Sequence, residues 1–132
     1  MQSKAANAYK SVSKTSMSPR QLEAAVLNRA AAMLKAVQDN WDAPDRDEKL
    51  DEALRYNQKL WTIFQADLAD EDCPLPKKLR EDILTLSLFV DRRTFELMAK
   101  PERERMTVLI NINQNIAAGL NTMPQKESAA AG

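Results

Sequence analysis

The sequence predicts an all-α protein: a four-helix antiparallel bundle-like domain with flexible polar termini. Two observations point to that class. The chain has only 2 glycines among 132 residues. Apolar residues also recur every three or four positions in four separate stretches, divided by proline- or aspartate-bearing breaks. A chain of this length makes one domain. It can bury roughly two-thirds of its unfolded surface and so needs no disulfide or metal to hold it. Aromatics contribute 5% of residues, so the core must be aliphatic.

Residues 1–17 read as a basic N-terminal tail, with Lys4, Lys10 and Lys14 and no acidic residue before Glu23. Tyr9 and Val12 are the side chains there able to dock onto the body. The first helix starts at Ser18-Pro19-Arg20-Gln21, which places a capping serine, a proline at the first helical position and a glutamine three residues after the cap. Leu22, Val26, Met33 and Val37 then recur at helical spacing, with alanines between them that permit close approach of a neighbour. This helix should run to about Asn40, before Asp42-Ala43-Pro44.

The second helix should begin near Asp45, with Glu48 as its capping partner. Its seam is regular: Leu50, Leu54, Asn57, Trp61, Phe64 and Leu68. A single asparagine on such a seam can set helix register at a cost in stability. Cys73-Pro74-Leu75-Pro76 is a hard break, because each proline removes a backbone donor. A third helix follows from about Pro76 to Ala99, with a first seam of Leu79, Ile83, Leu86, Val90 and Leu97 and a second apolar face of Leu84, Leu88 and Phe95. Arg93 falls where the seam would continue, so its stem should pack while its head reaches solvent.

Pro101 should open the fourth helix, with Glu102 and Glu104 in the first turn. Its seam is Met106, Leu109, Asn113, Ile116 and Leu120, closed by Gly119 and Pro124. If the second and fourth helices face each other, Asn57 and Asn113 can hydrogen-bond; if not, each sits at a seam edge touching water. The helical domain thus spans 18–122, and 123–132 reads as a disordered C-terminal tail. Short connectors favour up-down-up-down order, with a three-helix core and one peripheral helix as the alternative.

Chemistry finds little foothold. The chain has no histidine, which removes the commonest general base and zinc ligand together. The carboxylates fall in runs at helix ends, and two distant glycines cannot build a phosphate-cradling loop. Cys73, flanked by acids and prolines, reads as a reduced, dull thiol of a cytoplasmic protein. No catalytic residue, metal ligand or cofactor is therefore expected, and neither a secretory signal nor a membrane span.

Formal net charge is zero, so the basic surplus typical of nucleic-acid binders is missing. Lys77, Lys78 and Arg80 form a small basic patch and Arg92 with Arg93 another, but no aromatic stacking platform accompanies them. Nucleic-acid binding by this chain alone is not expected. What remains is surplus apolar surface on the third and fourth helices, half of it accounted for by core burial. The rest suits a groove for an amphipathic helix, with Leu84, Leu88, Phe95 and Ile112 as its candidate residues. The same apolar surface suits self-association.

Asn7-Ala8-Tyr9, then Ser18-Pro19-Arg20-x-x-Glu23 and an alanine-rich helix, then Asn57-Gln58-Lys59-Leu60-Trp61 and Leu86-Ser87-Leu88-Phe89-Val90-Asp91-Arg92-Arg93, follow one another in a characteristic order. This order resembles the FlaF family of bacterial flagellar biosynthesis regulators, over about residues 7–122. The resemblance implies a small helical protein needed for flagellin production and assembly. Its expected partner is flagellin, held as by an export chaperone, with a second regulator, FlbT, as a further partner. The alternative implied role is post-transcriptional, through contact with flagellin message directly or with FlbT.

Overall fold

The computed structural model describes residues 18–123. The expected N-terminal tail, Pro124 and, apart from Met123, the expected C-terminal tail lie outside the described residues. Four α-helices form: α1 (Pro19–Asp39), α2 (Arg46–Ala69), α3 (Lys77–Ala99) and α4 (Thr107–Thr122), with a 3-10 turn (Arg103–Met106) before α4. No strand occurs among the described residues, and no helix there is long and apolar enough to cross a membrane.

The start of α1 has the expected capping box. The Gln21 amide donates to Ser18 Oγ at 3.2 Å, and the Ser18 amide donates to Gln21 Oε1 at 3.0 Å. The reciprocal pair satisfies two donors that a helix start leaves open. The start of α2 corrects the expectation, because Asp45 is the N-cap residue but makes no side-chain capping bond. Asp47 and Glu48 still occupy the first turn, where the helix dipole favours negative charge.

Helix order is up-down-up-down. The C-terminal end of α1 lies beside the start of α4, where the Gln38 side-chain amide donates to the Arg103 carbonyl (3.0 Å) and to Thr107 Oγ1 (2.8 Å). Arg103 returns a bond from Nε to the Gln38 carbonyl at 3.0 Å. The closest helix pair is α1 with α4, while α2 contacts both α1 and α3. The backbones of α3 and α4 meet at most marginally. Thus α1, α2 and α4 converge on a common core, and α3 flanks it by leaning on α2.

Every residue of the expected α2 seam is buried, and Trp61 is wholly enclosed. It donates its indole N–H to Asn113 Oδ1 at 2.9 Å, and Asn113 Nδ2 donates to Asn57 Oδ1 at 2.7 Å. Of the two readings for the asparagines, the paired one is found. On α1 the seam is broader than expected: Leu27, Leu34, Ala30 and Ala31 are buried, while Met33 is half-buried.

The entry to α4 is another correction. Glu102 is extended, and a 3-10 turn precedes the helix, which begins at Thr107 instead of Pro101. Three arginines organise this turn: Arg103 through Gln38, Arg105 through Glu96 at 2.7 Å, and Arg93 through the Arg105 carbonyl at 3.1 Å. Gly119 does not end α4, which continues to Thr122.

Candidate partner-binding face

α3 packs by a stripe of Ile83, Ser87, Val90, Thr94 and Leu97. Leu79 and Leu86, expected on this seam, are instead exposed and half-buried respectively. Ser87 and Thr94 take their place because each hydroxyl satisfies itself locally. Ser87 Oγ donates to the Leu84 carbonyl, and Thr94 Oγ1 donates to the Val90 carbonyl at 2.7 Å. A buried hydroxyl so paired escapes the cost of an unmet hydrogen bond.

Selecting that stripe turns the second apolar face of α3 outward. Leu88 is 68% exposed and Phe95 58%. Their separation of seven positions amounts to two helical turns, so both point the same way. Leu84, one turn before Leu88, is half-buried and packs against the core. Glu81 and Arg92 are exposed on the same helix. The structure therefore brings Leu84, Leu88 and Phe95 onto one face. Ile112 sits on α4, half-buried against the core, on a helix whose backbone barely meets α3.

The C-terminal end of this face is braced. Arg93 Nε pairs with Glu96 at 3.1 Å, and the Arg93 guanidinium carbon lies 5.1 Å from the Phe89 ring centroid. The Arg93 side chain is largely covered, as expected of its stem, but its head, expected in solvent, is instead spent on Glu96 and the turn ahead of α4. The basic patch at the α3 start is likewise engaged: Lys78 pairs with Asp82 at 3.0 Å, and Arg80 donates to the Asp70 carbonyl at 3.1 Å.

Sequence periodicity did not anticipate a cavity of about 400 Å³ at the closed end of the α1–α2 hairpin, beside the loop that joins the two helices. Met33, Val37 and Ala53 form its apolar wall and Arg46, Lys49 and Glu52 its charged rim. Its sequence signal is the small residues Ala36, Ala43 and Ala53, which line it and leave space that larger side chains would fill. Arg46 is stacked on Trp41, 4.3 Å from the ring centroid. Among the described residues no group of three or more His, Cys, Asp or Glu could hold a metal ion.

The family model described as flagellar protein FlaF matches residues 5–120, nearly the whole chain. The chain belongs to the FlaF family. That membership makes this FlaF chain a flagellar protein, in agreement with the all-helical fold and with the order of its sequence motifs. No curated protein and no solved structure matches it.

Proposed function

We propose that this FlaF chain acts in the cytoplasm as a flagellin-binding protein without catalytic activity. It keeps newly made flagellin soluble and competent for export, and so couples synthesis to secretion. The observation that carries this reading is the outward α3 face, on which Leu88 and Phe95 are the most exposed of the large apolar side chains among the described residues. Flagellin's terminal segments are amphipathic helices that aggregate when unassembled. A helix of that kind docks through anchors two turns apart, which is the spacing of Leu88 and Phe95. Covering the exposed part of both side chains would contribute about 1–2 kcal/mol each.

The test replaces Leu88 and Phe95 together by serine. Both side chains are mostly solvated, so circular dichroism and the urea midpoint should stay as in the native protein, while flagellin capture is lost. Retained capture with an intact fold rejects the face as the flagellin site. The alternative, contact with flagellin message alone or beside FlbT, is separated by salt. Phosphate contacts weaken steeply as salt rises, whereas apolar docking hardly responds. The zero net charge, without the basic surplus that phosphate contact requires, favours the protein client over RNA.

A further inference from the structure

A second surface lies at the opposite end of the α1–α2 hairpin from the cavity. Between the first half of α1 and the last half of α2 runs a shallow trough with Val26, Leu27, Leu60 and Phe64 as its floor. Ile63, 38% exposed, stands on its wall, and Glu23 and Asp67 form an acidic rim. We infer that this trough is a docking site for the protein's own N-terminal segment, residues 1–17, with Tyr9 and Val12 on the apolar floor and Lys10 and Lys14 against the acidic rim.

Four observations support that occupant over any other. The first is position. The segment joins α1 at Ser18, and Val26 is eight residues further on, about 12 Å along the helix at 1.5 Å per residue. The six peptide units from Val12 to Ser18 span up to about 20 Å, enough to fold back over the trough, and Tyr9 reaches further still. The second is charge. Residues 1–22 carry Lys4, Lys10, Lys14 and Arg20 and no carboxylate. The end of α2 and the turn after it carry Asp67, Asp70, Glu71 and Asp72, none of which forms an ion pair among the described residues.

The third is the state of Asp67. Burial, with the Asp70 carboxylate adding to it, holds its carboxyl above the usual range, so a cation beside it would be favoured. The fourth is cover. Arg20 and Glu23 pair at 2.9 Å with side chains only 6% and 12% exposed. A charged pair in a helix's first turn is ordinarily open to water. Here it is enclosed where the N-terminal segment enters.

Trypsin cleavage at Lys10 and Lys14 of the full chain, followed by mass spectrometry, tests the assignment. A docked segment is cut only when it opens, so Tyr9→Ala combined with Val12→Ala should speed cleavage roughly tenfold. Ile63→Arg, on the trough wall, should do the same. The tail double variant alters no residue of the helical domain, so the test stands even if Ile63→Arg fails to fold. Carbodiimide cross-linking should join Lys10 or Lys14 to Glu23 or Asp67 within monomers. Equal cleavage rates in native and variant chains overturn the inference. Cross-links confined to dimers also overturn it, because a second copy would then occupy the trough.

Discussion

Asn113 of α4 stands between two residues of α2, accepting from the Trp61 indole at 2.9 Å and donating to Asn57 at 2.7 Å. All three side chains are buried, and Asn57 Nδ2 has no hydrogen-bond partner. The relay is therefore asymmetric. Asn113→Leu strands both the Trp61 N–H and Asn57 Oδ1 in the core, and each stranded group costs about 1–3 kcal/mol. Asn57→Leu strands only Asn113 Nδ2 and removes a donor that was already unmet. Urea unfolding should show Asn113→Leu as the more destabilising change by about 1 kcal/mol or more. The reverse order would mean the relay does not hold α2 to α4.

The two helix starts differ in the same testable way. Ser18→Ala removes a reciprocal capping bond and should cost about 1 kcal/mol. Asp45→Ala removes no capping bond. Only the charge near the helix start is lost, which is worth about 0.3–1 kcal/mol and is screened by salt. Urea midpoints at low and high salt check this: the Ser18 effect should persist at high salt, while the Asp45 effect should shrink.

Tyr56 sets an alkaline limit. Its hydroxyl is buried beside Arg29, whose guanidinium carbon lies 5.9 Å from the ring centroid. Burial pushes the Tyr56 pKa above its ordinary value, outweighing the opposite pull of Arg29. In the unfolded chain the phenol titrates near its usual value of about 10. As pH rises through that value the unfolded state loses its proton first, so this residue's share of stability is intact below about pH 10 and declines above it. Tyr56→Phe should cost at most about 1 kcal/mol at pH 7, since the hydroxyl's neighbour Arg29 is exposed and water can satisfy it instead. It should also flatten the fall in the urea midpoint between about pH 9 and pH 11. An unchanged alkaline slope would rule Tyr56 out as its source.

The α2 seam was legible because that helix lies between α1 and α3 and reaches α4 through Trp61. Its apolar stripe is therefore the buried one, and Asn57 belongs to it. α3 was harder to read. It carries apolar residues around much of its circumference, and periodicity cannot say which stripe a helix with one main neighbour will bury. Leaning on α2 selected Ile83, Ser87, Val90, Thr94 and Leu97, and that choice left Leu88 and Phe95 outside. Leu84 fell at the margin. Ile112 was grouped with them by hydropathy, although it lies on a helix packed mainly against α1.

Local chemistry along the chain was enough to determine the helical class, the four segments, the breaks between them and the α1 cap. Each depends on residues within a turn of one another: proline's missing donor, serine's reach to a nearby amide, the three-to-four spacing of apolar side chains. Tertiary packing alone decided the Trp61–Asn113–Asn57 relay, the 3-10 entry to α4 built by Arg93, Arg103 and Arg105, and the outward face of α3. Those features join residues from different helices. Their free energy depends on which surfaces meet, and no local pattern specifies that.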